Sequence, residues 1–212
     1  MTLGPALAQG VRALGLTVSA ATQAKLLAYV ALLEKWNRTY NLTAIRDPER
    51  MVVHHLLDSL AVLPHFPRAP ALRVIDVGSG AGLPGIPLAL LHPEWHVALL
   101  DSNGKKAAFM RQATAELGIA NSEVIAVRVE SYRPALPFDV VVSRAYSTLE
   151  SFIGATSGLI NPSGRWLAMK GTYPAEELVS IAQRVRVLDV PRLAVPGLSA
   201  KRHVVIMEPK PA

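Results

Sequence analysis

Thirteen residues constrain the fold of this chain more than any others: Arg73-Val74-Ile75-Asp76-Val77-Gly78-Ser79-Gly80-Ala81-Gly82-Leu83-Pro84-Gly85. A short run rich in Val and Ile leads straight into three glycines at alternate positions, and Pro84 suits the first turn of a helix. The segment reads as a buried strand turning sharply into a helix. Glycine allows backbone conformations closed to other residues and lets a ligand approach the chain closely. Such a unit belongs to sheets built from repeated strand and helix crossovers, where ligands bind outside the carboxyl ends of the strands.

Periodicity extends this pattern over the rest of the chain. Strands are expected at 73–77, 96–100, 123–127, 138–142, 165–170, 186–190 and 203–208, and helices at 84–91, 105–117, 149–159 and 175–184. The fold class is therefore α/β: a mostly parallel seven-stranded sheet with helices on both faces, its last two strands able to form an antiparallel hairpin around the 191–201 loop. The chain before residue 64 reads as helical instead. From 19 to about 40, Leu26, Leu27, Val30, Leu33 and Trp36 recur at helical spacing, and a second helix opens with Asp47 as cap and Pro48 at the first position and ends near Pro64. Pro64, Pro67 and Pro70 mark a boundary. The division expected is a helical region at 1–66, packed on the core, and a ligand-binding domain at 67–212.

Composition removes several classes of function. With half of its 212 residues hydrophobic and 18% charged, the chain has the balance of a compact globular protein. It has no cysteine, which excludes disulfides, thiolate metal sites and a cysteine nucleophile. Pro5, Gln9, Arg12 and several glycines interrupt the first 18 residues, so an export signal is not expected, and no apolar run approaches the roughly 20 residues of a membrane span. The location expected is cytoplasmic, without a membrane partner. A formal charge of +6 and a pI near 9.8 point toward a polyanion.

The acidic residues bear on the ligand class. By spacing, residues 80–85 also match the dinucleotide pattern G-x-G-x-x-G, but Asp76 just ahead of the glycines would repel a pyrophosphate. It favours the sulfonium and ammonium of S-adenosylmethionine, and an NAD-dependent oxidoreductase is correspondingly disfavoured. Asp101-Ser102 closes the second strand where ribose hydroxyls would lie, and Arg128-Val129-Glu130 after the third strand sits where a loop would cover an adenine, although Glu130 taken alone reads as a solvated loop residue. Arg144 and Lys170 end the fourth and fifth strands, which brings two cations to one edge and favours anion binding. Lys105-Lys106 and Lys201-Arg202-His203 add further charge, and Arg38, Arg46 and Arg50 offer more on the helical region. His54 and His55 lack metal-ligand spacing to other His, Asp or Glu, so packing or solvated roles are assigned and no metal is expected. Trp36 and Tyr40 lie at helical spacing and read as core in preference to base-stacking residues.

In this order the residues resemble the bacterial small-subunit ribosomal RNA guanine-N7 methyltransferases, also called glucose-inhibited division protein B. The resemblance rests on Trp36-Asn37 with Asn41-Leu42-Thr43, on 55–60 (HLLDSL), on the 76–87 loop, and on Leu99-Leu100-Asp101-Ser102 with Lys105-Lys106. Arg128-Val129-Glu130, Ser143-Arg144-Ala145, Lys170-Gly171 and Arg202-His203 complete it. It implies a Rossmann-like class I methyltransferase fold and methylation of N7 of one guanine in 16S ribosomal RNA near the decoding centre. The donor implied is S-adenosylmethionine and the product S-adenosylhomocysteine.

From this resemblance Gly78, Leu83, Val129 with Glu130, and Arg144 are carried over as cofactor contacts, beside Asp76, Gly80, Gly82, Asp101 and Ser102 from the residues themselves. Lys105, Lys106, Arg144, Lys170, Lys201, Arg202 and His203 are the expected RNA contacts, with Arg144 and Lys170 positioning the acceptor and no residue assigned as an acid or base. Guanine N7 offers a lone pair and has no proton to lose, so positioning suffices. The partner implied is 16S RNA, free, in the 30S subunit or in an assembly intermediate, met by a monomer. Other readings are a methyltransferase acting on another RNA, a protein or a small molecule, and a non-catalytic RNA-binding module that keeps the loop.

Overall fold

A computed structural model of the chain describes residues 2–144 and 146–210; Met1, Ala145, Pro211 and Ala212 lie outside them. The sheet is formed by β1 (Arg73–Val77), β2 (His96–Leu100), β3 (Ser122–Ile125), β4 (Phe138–Arg144), β5 (Ile160–Lys170), β6 (Val185–Asp189) and β7 (His203–Pro209). Their order is β3-β2-β1-β4-β5-β7-β6; β1 to β5 run parallel, and β7 lies antiparallel between β5 and β6. The strand order therefore reverses between β1 and β4, which places the glycine loop after β1 at the topological switch point, where open α/β sheets bind ligands.

Strands β1 and β2 fall where the sequence puts them. Strand β5 begins five residues earlier than expected, because Pro162 and Gly164 sit inside it. The pairing of β4 with β5 shifts register between Phe138 and Val140, and the bare Gly164 Cα admits the Asp139 carbonyl, which a Cβ would meet at 2.9 Å. Strand β3 stops at Ile125, two residues early. The helices of this region are α5 (Gly85–Leu91), α6 (Gly104–Glu116), α7 (Leu149–Thr156) and α8 (Ala175–Ile181), the last two ending three residues short of the expected bounds. Pro84 is the residue before α5 and not inside it, following a cis peptide after Leu83.

Upstream lie α1 (Leu3–Ala13), a helix not singled out by periodicity, and α2 (Ala20–Tyr40), whose Ser19 hydroxyl accepts from Thr22 N at 3.1 Å. Gly4 and Gly10 dilute the helical signal of α1, but Gly10 has a packing reason: a Cβ there would lie 2.3 Å from Leu57 Cδ1. The helix expected from Asp47 to Pro64 is broken into three. Asp47 caps α3 (Pro48–Met51), accepting from Arg50 N at 2.8 Å; a π-helical turn follows over Val52–Leu57, then α4 (Asp58–Leu60). Among the described residues no helix is long and apolar enough to cross a membrane.

Alternate residues of each strand feed two cores. On one face Val74, Val97, Val140 and Ile206 join Leu7, Leu26, Leu33, Leu56 and Phe109, so the N-terminal helices and the sheet share continuous apolar packing. On the other, Ile75, Val141, Trp166 and Val205 pack with Phe152 and Ile181. Full burial of each such side chain contributes about 1.5–3 kcal/mol, enough for either face to anchor the loops above it.

Candidate active site

The glycine loop is built from inside the sheet outward. Gly78, Gly80 and Gly82 have φ of 71°, 63° and 83°, a region that favours glycine. The N–H groups of Gly78 and Ser79 both donate to the Leu100 carbonyl, at 2.9 and 3.0 Å, which ties the loop to the end of β2. Beneath it, Asp76 Oδ2 accepts from Ser79 Oγ at 2.5 Å and from Gly85 N at 2.8 Å, while Oδ1 is buried with no partner among the described residues. Burial pushes the Asp76 carboxyl up to about 6, against the two hydrogen bonds and the nearby Arg144 charge.

Two cavities flank the loop, and Gly78 lines both. The smaller, about 210 Å³, is walled by Leu100, Asp101, Ser102, Val129, Glu130 and Tyr146. Asp101 accepts there from Asn103 N at 2.8 Å and Gly80 N at 2.9 Å, so one carboxylate fixes both the loop and the start of α6. Val129 and Glu130 lie in a single 3-10 turn, Val129–Ser131. The larger cavity, about 510 Å³, takes in Gly80, Leu83, Lys106, Arg144, Lys170 and Arg202, with Leu42 and Thr43 contributed by the N-terminal region.

Several expected positions shift in role. Asp76 lines neither cavity: its Oδ2 is bonded inside the loop, and its charge acts on a ligand from beneath the glycines. Gly82 lines neither as well; a Cβ would lie 2.4 Å from Ile86 Cδ1, which makes it a packing position. Arg144 and Lys170 do line one cavity, but neither arrives unpaired. Arg144 Nη1 donates to the His54 carbonyl at 2.9 Å and to Asp58 at 3.3 Å, and Lys170 Nζ donates to both Glu177 oxygens at 2.9 and 3.1 Å. Lys106 approaches Asp101 at 3.7 Å. His203 is buried, its Nδ1 at 3.3 Å from the Gly171 carbonyl and its ring against Tyr173, so it supports the cavity wall and offers no open surface to RNA. Lys105 and Lys201 are exposed and line neither cavity; Ala145 lies outside the described residues.

Around the helical region, Arg38 pairs with Glu34 at 2.7 Å, Arg46 with Asn41 at 3.2 Å, and Arg50 is exposed. Trp36 packs against the core and Phe109, whereas Tyr40 is 44% exposed, which departs from the core reading. Tyr29, Asn37, Thr43 and Asp58, given no role by sequence reasoning, complete the site with His55. The buried Tyr29 hydroxyl donates to the Ala81 carbonyl at 2.7 Å, fastening α2 to the glycine loop. Asn37 accepts from Thr43 N at 2.9 Å, and Thr43 Oγ1 pairs with His55 Nε2 at 2.9 Å, which holds the Leu42-Thr43 wall. Burial and the Arg144 charge pull the His55 imidazole down to about 4, so it is neutral near pH 7. Asp58, buried, touches two arginines. The signal that could have found Asp58 is its place as the one acid in the apolar run 55–60.

A family model described as rRNA small subunit methyltransferase G matches residues 22–205. The chain belongs to this family. A ribosomal RNA small subunit methyltransferase G of Aromatoleum aromaticum is 54% identical over 206 residues, covering 95% of this chain and 97% of that one. The protein of the same description in Pseudomonas aeruginosa strain PAO1 is 51% identical over 201 residues, covering 95% and 93%. Among solved structures, a SAM-dependent methyltransferase from Aquifex aeolicus superposes with a TM-score of 0.59 at 19% identity, over 85% of this chain and 97% of that one. The N-methyltransferase NodS from Bradyrhizobium japonicum, in complex with S-adenosylhomocysteine, gives 0.59 at 12% identity, over 86% and 98%. The fold of this rRNA small subunit methyltransferase G family member is thus that of S-adenosylmethionine-dependent methyltransferases. Its site fits such a cofactor: a cradle of left-handed glycines, an unpartnered buried carboxylate oxygen beneath it, and Asp101 at the end of β2.

Proposed function

We propose that this protein transfers the methyl group of S-adenosylmethionine to N7 of one guanine in 16S ribosomal RNA near the decoding centre. The observation that carries the reading is the glycine loop lying between two cavities of different chemistry, in a chain of this family. The smaller cavity suits an adenosine, with Asp101 and Ser102 for ribose hydroxyls and the Val129-Glu130 turn over the base. Gly78, Gly80, Leu83 and Arg144 would hold the methionine end beside the larger cavity. When bound, the cofactor supplies an electrophilic methyl group on a sulfonium.

The chain's part is to bind, orient and exclude water. Guanine N7 loses no proton on methylation, so the larger cavity needs no general base, and the buried, neutral His55 serves as a structural partner of Thr43. Arg144, Lys170, Lys106 and Arg202 face the acceptor as phosphate or base-positioning groups, with the exposed Lys105 and Lys201 as outer phosphate contacts. The N-terminal helices (1–66) would act as a wall for the methyltransferase unit (67–212), working as a monomer in the bacterial cytoplasm where 30S subunits are assembled.

The test is to incubate the protein with radiolabelled S-adenosylmethionine and, separately, naked ribosomal RNA, 30S particles and total protein from a strain lacking the enzyme, then map the label. Label at a single guanine N7 of 16S RNA is expected. Label on protein, on small molecules or at an exocyclic amine would overturn the reading.

A further inference from the structure

Asp58 is the one carboxylate in the larger cavity with two arginine partners, and the reaction as described gives it nothing to do. Its Oδ1 accepts from Arg202 Nε at 2.9 Å and its Oδ2 from Arg144 Nη1 at 3.3 Å, while the carboxylate is 2% exposed. The three residues come from separate parts of the chain: the start of α4, the end of β4 and the residue before β7. In the sequence 144 positions separate Asp58 from Arg202.

The arginines keep donors in reserve. Arg144 spends Nη1 on His54 and Asp58, and Arg202 spends Nε on Asp58 and Nη1 on the Lys201 carbonyl. Nε and Nη2 of Arg144 and Nη2 of Arg202 have no protein acceptor among the described residues, and both side chains line the cavity. A guanidinium is planar, so fixing one or two of its nitrogens fixes the direction of the others. Two cations and one anion leave the cluster one net positive charge, a match for a single phosphodiester group.

We propose that Asp58 is a positioning residue that locks Arg144 and Arg202 into a pair of forks for one phosphodiester of the RNA at the mouth of the larger cavity. The inference rests on RNA being the acceptor. It runs against simple electrostatics. As a negative charge in the path of a polyanion, Asp58 should weaken RNA binding, and its removal should help. As a positioning residue, its removal frees two long side chains that must be ordered again each time RNA binds, and the reaction suffers.

Asp58→Asn is expected to lower kcat/KM for 30S RNA at least tenfold at saturating S-adenosylmethionine, where the Arg144 contact to the cofactor is not what is read, while general RNA affinity at low salt stays equal or rises. In an Arg202→Gln background the same change should cost less than threefold, because the pair it organises is already broken. Should Asp58→Asn fail to fold by circular dichroism, Arg202→Lys carries the test: it keeps the charge and loses the fork, and should reduce kcat/KM nearly as far as Arg202→Gln. Wild-type kcat/KM in Asp58→Asn, full additivity with Arg202→Gln, or wild-type activity in Arg202→Lys would each overturn the inference alone. A wild-type enzyme that labels no ribosomal RNA would overturn the RNA reading first.

Discussion

Burial moves Asp76 and His55 in opposite directions, and the two shifts have opposite consequences for pH. The Asp76 carboxyl titrates near 3.8 when unfolded and about 6 when folded, raised by burial. Between these values the folded state holds an extra proton, so the contribution of Asp76 to stability is full below pH 3.8 and is lost as pH rises through 6. His55 is pulled from 6.5 to about 4, chiefly by burial, so its contribution is full above 6.5 and is lost as pH falls toward 4. In the wild type the two oppose each other from pH 4 to 6. Asp76→Asn cannot ionise and keeps an acceptor for the Gly85 N–H, so it should gain on the wild type between pH 4 and 7 by up to about 3 kcal/mol. Urea unfolding of both proteins at the two pH values measures this; a constant difference would refute it.

At the scale of elements, Tyr29 of α2 donates a hydrogen bond to the Ala81 carbonyl of the glycine loop, beside the apolar packing the two share. Tyr29→Phe leaves that buried carbonyl unpaired, which should cost about 1–3 kcal/mol in melting experiments and weaken S-adenosylmethionine binding in calorimetry. Unchanged affinity would show that α2 is a bystander. Sequence reasoning located α2 and the strands β1 and β2, because hydrophobic period and the glycine run are local signals. It could not see the Tyr29 bond or the extension of β5, which depend on partners distant in the chain, nor the π turn over Val52–Leu57. The candidate site divides the same way. Asp101 was legible from a strand end and Val129 with Glu130 from the family resemblance, whereas Asp58 and Glu177 became visible only when three-dimensional pairing showed which cations they hold.

The whole molecule carries a formal charge of +6, yet the cations of the larger cavity each have an acid beside them: Asp58 for Arg144 and Arg202, Glu177 for Lys170, Asp101 for Lys106. Long-range attraction for RNA must therefore come from the exposed surface, and the cavity supplies geometry. Raising salt should weaken RNA binding, with log affinity falling by about 0.7 per phosphate contact for each unit of log salt, while the affinity for S-adenosylmethionine changes much less. Equal salt sensitivity of the two ligands, read by filter binding and calorimetry, would contradict this division. The position of β7 has a consequence for the birth of the protein. It comes last in chain order among the seven strands described, yet it lies inside the sheet between β5 and β6; its Val204 and Ile206 complete the core that begins at Leu7, and Arg202 stands at its threshold. A nascent chain can complete neither its sheet nor its arginine pair until residues 202–209 have been made. On the proposed function, the enzyme therefore becomes competent to modify RNA only once its seventh strand has been inserted.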